Sequence, residues 1–355
     1  MNFSEKLSKL IFLEVKSNEL EKLLKTKLNC EEGVFIPIDA AYISNNINDE
    51  NKIGNIPMSQ FIDGMVLILG CDSKFKYNDI YIKILCNIPD AFNYIKEKIA
   101  TLVKKNMLED AYINIKGLMK VEFNEEIFEN ALILLEELRA KQQCFKDEEL
   151  ELIEKLKMES LSPIPYFYES LVYRDDEEYE RALISLQEYF NRGGKKSSEI
   201  LEFNQWLKNS CDYKNAKEML YEDPKKALQL LIPLIDIDEG NALLHYHIAI
   251  AYRLLDNYEK AIYYLNEALA LDEDIVEIIN ELGLNYASLQ DYDNAIKYFN
   301  KAFQLTNEIG ICTNLAMCYL KLNKIKEAQA CIEKGETIDK EDEILIEIKK
   351  ILKRN

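Results

Sequence analysis

Val276–Asn307 reads VEIINELGLNYASLQDYDNAIKYFNKAFQLTN, and its spacing decides the fold. Apolar residues recur three and four apart in two runs separated by Gln290-Asp291, which predicts two antiparallel helices. Small residues, Gly283 and Ala295, stand where such helices would touch. The same text recurs along the chain. Ala261 precedes Ala295 by 34 residues, as Tyr252 precedes Tyr286, Tyr258 precedes Tyr292, Ala268 precedes Ala302 and Leu271 precedes Leu305. A further copy, one residue shorter, carries Leu315, Ala316, Tyr319 and Ala328. Upstream, Ala227 lies 34 residues before Ala261 and Leu231 matches Leu265, while the first helix of that copy, around Ala216–Tyr221, reads as abbreviated. A regular period of this length is the mark of stacked supersecondary units, none of which can bury its apolar faces alone.

On these residues the chain resembles the tetratricopeptide repeat family. The Val276 copy carries the family pattern in Leu282, Gly283, Tyr286, Ala295, Phe299 and Ala302. The Ala242 copy shows Ile248, Ala249, Tyr252, Ala261, Leu265 and Ala268. The Ile309 copy shows Leu315, Ala316, Tyr319, Ala328 and Ile332, with Gly335 where alanine is usual. The family's frequent tryptophan is replaced by His245, Ile279 and Cys312. The resemblance implies an all-α fold, a right-handed superhelical solenoid of helical hairpins. The repeats are expected at 208–241 (degenerate), 242–275, 276–308 and 309–340, with 341–355 as a capping helix whose end, Lys349-Lys350, is basic.

The rest of the chain reads as helical but less regular. Residues 90–207 are expected to form diverged hairpins. One spans Pro165–Phe190, with Ala182 at the alanine position, and a weaker one is marked by Ala111. Ala182 to Ala227 is 45 residues, so a helix near Glu199–Asn209 is placed between them as an insertion. Glu126–Lys141 and Glu148–Met158 have helical spacing, and Pro89-Asp90 precedes another helix. Residues 1–89 form an N-terminal helical region, in which Asn2–Leu28 is expected to be one amphipathic helix. Val34–Ile38 is short and β-like, and Asn45, Asn46, Asn48, Asn51 and Asn55 suggest a loop, so an irregular or short β-like segment is placed near 30–57.

Composition agrees. Of 355 residues 48% are hydrophobic and 30% charged, with only 11 glycines and 7 prolines, so helix formers fill the chain. The net charge of −19 repels phosphate backbones and anionic lipid, which argues against nucleic-acid and membrane partners. Apolar runs such as Met65–Leu69 are too short to span a bilayer, and the N-terminal stretch is broken by Glu5, Lys6, Lys9 and Glu14, unlike a signal peptide. Eight cysteines, none in a CxxC pair, read as reduced core residues of a cytoplasmic protein.

No catalytic set can be assembled, and no enzyme, cofactor or metal is expected. Arg192–Ser197 contains Gly193-Gly194-Lys195 but lacks the earlier glycine and the preceding strand of a phosphate loop, so it reads as a helix-to-helix turn. Asp236–Gly240 resembles part of a calcium loop, yet His247 stands where the closing carboxylate belongs. The only histidines, His245 and His247, are two apart and face different sides of a helix. Cys312 and Cys318 are not placed to bridge. Asp272–Asp274 and Asp291–Asp293 fall at repeat turns, where capping explains them.

In the family, the first helix of each hairpin lines a concave face that takes a peptide. Carried over by position, that face comprises Tyr246, His247, Ile250 and Arg253, then Asn280, Glu281, Leu284 and Ser288, then Thr313, Asn314, Met317 and Lys321. The clamp for a C-terminal carboxylate found in one subclass is not expected, because Ile250 and Leu284 occupy its polar slots, only Asn314 matches, and Glu281 would repel a carboxylate. The leading expectation is a scaffold or adaptor binding a protein or peptide. The alternative is a peptide-sensing regulator acting on another protein. Less favoured is an enzyme with its active site in the N-terminal region.

Overall fold

The computed structural model describes residues 3–24, 27, 33–47, 49, 55–122 and 124–352. The chain divides into two compact units, Met1–Leu201 and Glu202–Asn355. Every element among the described residues is helical except for two strands.

The first unit opens with α1 (Phe3–Leu7), β1 (Leu10–Val15), α2 (Ser17–Leu24), β2 (Val34–Asp39) and α3 (Ala40–Asn46). The single helix expected over 2–28 is therefore replaced by helix, strand and helix. The reason is non-local: Leu10–Val15 pairs antiparallel with Val34–Asp39, Leu10 opposite Asp39 and Val15 opposite Val34. The β-branched and aromatic residues of both segments suit a pleated surface, and Val34, Ile36 and Ile38 are buried. Asn45 and Asn46, expected in a loop, end α3, which Asp39 caps by accepting from Ala41 N at 2.8 Å. Asn48 and Asn51 lie outside the described residues.

There follow α4 (Met58–Cys71), α5 (Asn78–Asn87), α6 (Ala91–Lys104), α7 (Leu108–Val121), α8 (Glu125–Lys141), α9 (Lys146–Glu159), α10 (Ile164–Asp175) and α11 (Tyr179–Asn191). They enclose one core that includes Met65, Tyr81, Tyr112, Phe128 and Phe145. At its centre α4 and α7 cross backbone to backbone: a Cβ on Gly70 would collide with the carbonyl of Ile113, and one on Gly117 with that of Val66. The expected turn at Arg192–Ser197 is present, with Gly193 at φ 85°.

The second unit continues α12 (Ser198–Met219), whose first residues belong to the first unit. It then contains α13 (Pro224–Leu231), α14 (Ala242–Leu254), α15 (Tyr258–Leu271), α16 (Val276–Ser288), α17 (Tyr292–Thr306), α18 (Ile309–Lys321), α19 (Ile325–Ile338) and α20 (Glu343–Leu352). The helix expected at 199–209 and the abbreviated one at 216–221 are a single helix of 22 residues. No glycine or proline interrupts Ser198–Met219 to break it. α20 closes the array by burying Leu345 and Ile348 against Ala316 and Ile332.

Each hairpin of this unit turns in the same way. After α14, α16 and α18 a residue adopts the left-handed conformation, Asp256, Gln290 and Asn323, with φ 59°, 63° and 59°. The next N–H then reaches back to a tyrosine carbonyl at 2.9 Å: Asn257 to Tyr252, Asp291 to Tyr286, Lys324 to Tyr319. This satisfies carbonyls that a helix end leaves open. Five residues beyond each left-handed position is a fully buried alanine: Ala261, Ala295 and Ala328. Two hairpins of the first unit repeat the device. Asn106 (φ 57°) precedes buried Ala111, with Met107 N on Leu102 O, and Glu177 (φ 58°) precedes buried Ala182, with Glu178 N on Tyr173 O.

Candidate functional site

The first helices of successive hairpins carry equivalent residues, and the structure brings several together. α14 is set by Asn241, whose Oδ1 accepts from Leu244 N at 3.0 Å. Close packing of each hairpin fixes where its first helix points. A Cβ on Gly283 would lie 2.6 Å from the Phe299 ring, so only glycine admits that ring. Tyr252 stacks on Tyr264 with centroids 5.5 Å apart, and Tyr286 on Tyr298 at 5.4 Å.

Between α14 and α16, Arg253 Nε donates to Glu281 Oε2 at 2.8 Å. Burial raises the Glu281 acid and the Arg253 guanidinium opposes that rise. Tyr246 is half-buried, and burial, with Glu281, Tyr221 and Glu277 nearby, pushes its phenol up to about 12. Its ring meets His247 edge-on at 5.3 Å. His247 Nδ1 lies 2.6 Å from the carbonyl of Leu243 and 3.0 Å from Tyr213 Oη. A carbonyl only accepts, so Nδ1 carries the proton. Burial lowers the His247 pKa, keeping the ring neutral. His245, two residues earlier, is buried against Tyr264.

Asn280, Leu284, Asn314 and Met317 are half-buried, while Ser288 and Lys321 are exposed. Asn280 Oδ1 is buried with no partner among the described residues. Ser288 Oγ donates to its own helix, at Leu284 O, 2.9 Å away. Two of the expected face residues offer nothing to a ligand. Ile250 is only 3% exposed and packs in the apolar cluster with Leu228, Leu231 and Leu234. Thr313 is 2% exposed, with Oγ1 donating to Gly310 O at 2.9 Å. Both sit where the first helix rotates toward the preceding hairpin.

Sequence reasoning missed other residues here. Leu243, one helical turn before Tyr246, and Tyr221 are large and exposed. A cavity of about 400 Å³ opens beside Trp206 and Tyr213 on α12. Tyr213 lies 34 residues before His247, the repeat interval itself, and that offset was the available clue.

Other chemistry is sparse. Among the described residues no group of three or more His, Cys, Asp or Glu gathers as for a metal ion, and no helix is long and apolar enough to cross a membrane. Cys71, Cys86, Cys144, Cys211, Cys312, Cys318 and Cys331 are free thiols, whereas Cys30 lies outside the described residues. Cys86 and Cys144 are exposed and not core residues, because each falls on the solvent side of its element. Burial pushes the Cys318 and Cys331 thiols up to about 11, away from thiolate reactivity.

Family models of the tetratricopeptide repeat match residues 242–275, 276–309 and 309–342, and this segment is a run of tetratricopeptide repeats. No curated protein matches the chain. Solved structures similar to it include MamA, at 20% identity and TM-score 0.38, covering 46% of this chain and 91% of that one. A thermophilic tetratricopeptide protein of Thermus thermophilus is 17% identical with TM-score 0.35, covering 54% and 98%. The first such domain of Spaghetti (RPAP3), solved with an HSP90 peptide, is 20% identical with TM-score 0.32, covering 33% and 94%.

Proposed function

We propose that the chain is a scaffold that holds an extended segment of a partner protein against the first helices α14, α16 and α18. The observation that carries this reading is the run of half-buried apolar and amide side chains at equivalent positions of successive repeats. Tyr246, Leu284 and Met317 supply apolar contact, and Asn280 and Asn314 supply donors and acceptors for a peptide backbone. Arg253 is held by Glu281, so it presents its remaining N–H groups in a fixed direction at little entropic cost. The same pair removes Glu281 as a free charge, so the face does not carry the exposed carboxylate that its sequence suggested.

The face residues are Tyr246, His247, Arg253, Asn280, Leu284, Asn314 and Met317, with Leu243 and Tyr221 at the edge. Affinity capture with the full chain tests the reading. Proteins retained by the wild type should be lost from a Tyr246→Ala, Asn280→Ala, Asn314→Ala variant of unchanged helicity. Retention of the same proteins by that variant contradicts it.

A further inference from the structure

The cavity beside Trp206 has a specific chemical character. Its walls come from one face of α12, which presents Trp206, Ser210 and Tyr213, and from the segment after α13, which presents Ile237, Asp238 and Asn241. At about 400 Å³ it falls in the lower part of the size range of small-ligand pockets. Trp206 is the only tryptophan in the chain and is 47% exposed; Ile237 is 57% exposed. Large apolar groups left this open beside a cavity are uncommon without a use. Phe203 stacks along the indole, centroids 6.4 Å apart and planes within 15°, and so braces it.

The charge of the cavity is one-sided. Asp238 is its one carboxylate, and no lysine, arginine or histidine lines it. Asn241 fixes that carboxylate: its Nδ2 donates to Asp238 Oδ2 at 2.8 Å while its Oδ1 caps α14. The remaining oxygen of Asp238 has no partner among the described residues. Tyr213 commits its hydroxyl to His247, so its ring is what it offers the cavity. An occupant must therefore bring a cation, lie flat on an indole, and carry an aliphatic stem along Ile237. An acidic group is repelled. A neutral aromatic leaves Asp238 unanswered, and an ammonium pairs but does not stack. A guanidinium does all of it.

We propose that this cleft receives an arginine side chain of the bound peptide, its guanidinium lying on Trp206 and pairing with Asp238. The inference rests on the reading of the α14–α18 face as a peptide site, with which the cleft is continuous through the Tyr213–His247 contact.

The test uses the full chain and a random short-peptide display library. Selected peptides are then measured by the emission of Trp206, which no other indole obscures. The expected result is enrichment of arginine, a saturable change in emission, and about a tenfold or greater loss of affinity when that arginine is replaced by isosteric, neutral citrulline. Asp238→Asn should produce a similar loss, and lysine a partial one. The citrulline exchange alters only the peptide, so it decides the matter even if Asp238→Asn disturbs folding. If selected peptides depend on Tyr246 and Asn314 but are indifferent to citrulline and to Asp238→Asn, the pocket is refuted and the face stands. If no peptide is selected, both readings fall.

Discussion

Arg253 on α14 and Glu281 on α16 are 28 residues apart and form an ion pair in which the carboxylate is only 8% exposed. The pair ties the first helices of two successive repeats together across the candidate face. Removing one member leaves the other half-buried and uncompensated, which costs more than the pair itself contributes.

Arg253→Ala should therefore lower stability toward urea by about 1–3 kcal/mol near neutral pH, less than for a fully buried pair because Arg253 retains some exposure. Glu281→Gln should cost clearly less. Burial already raises the Glu281 acid, and losing Arg253 raises it further, so protonation in the folded state relieves the Arg253→Ala defect as pH falls toward the carboxyl range. Equal defects near neutral pH and in the carboxyl range would show that Glu281 is not the uncompensated charge.

Gly283 and Phe299 give a second test, of the packing that defines the repeat. Gly283→Ala should destabilise by about 1–3 kcal/mol, because the new methyl meets the buried Phe299 ring. Phe299→Leu costs stability alone, but in combination it should recover part of the Gly283→Ala loss. A double-mutant cycle in urea measures the coupling. Ala295→Leu, at a fully buried position, should cost a similar amount without rescue by Phe299→Leu. Strict additivity of Gly283→Ala and Phe299→Leu would refute the contact.

These residues also show why so much of the second unit could be read from sequence. Close helix contact admits only small side chains, so Gly283, Ala261, Ala295 and Ala328 recur at the repeat interval and betray it. The left-handed turns were less legible, since Asp256, Gln290 and Asn323 share a conformation but not an identity. In the first unit, Leu10–Val15 fits a helix as well as a strand locally, and its partner lies far along the chain at Val34–Asp39. The crossing of Gly70 and Gly117 depends equally on distant backbone and leaves no periodic trace. At the candidate face, register identified the helix but not its rotation. Ile250 and Thr313 therefore turned inward, while Trp206, on a helix without a clear repeat pattern, went unnoticed.

His247 supplies a pH test. Its Nδ1 proton is held by Leu243 O and burial lowers its pKa below the ordinary 6.5, so the folded state keeps the ring neutral. As pH falls below about 6.5 the unfolded chain takes up this proton first, and stability is lost in that window. His247→Gln should flatten the pH dependence there relative to wild type. Nitrogen shifts in NMR should show Nε2 unprotonated at neutral pH, with only one other histidine, His245, to assign. An imidazolium signal for His247 near neutral pH would overturn the assignment.

The buried charges of the first unit behave with the opposite sign. Arg139 Nε donates to Glu149 Oε2 at 2.6 Å, and Arg139 also pairs with Asp175. Glu149 is fully buried, its other oxygen has no partner among the described residues, and burial, opposed by Arg139, raises its acid to about 7. A carboxyl raised above its unfolded value of 4.5 favours folding at low pH, and that advantage disappears as pH climbs from about 4.5 to about 7. The stability difference between wild type and Glu149→Gln, followed by urea denaturation, should therefore shrink or reverse across that interval and then level off. Arg139→Met should be far worse, about 3–5 kcal/mol, because it strands Glu149 and Asp175 without their cation. The Arg139→Met loss should lessen at the acid end of the interval, where Glu149 is protonated in either protein. A loss that grows on acidification would mean that Glu149 is ionised in the fold and held there by Arg139.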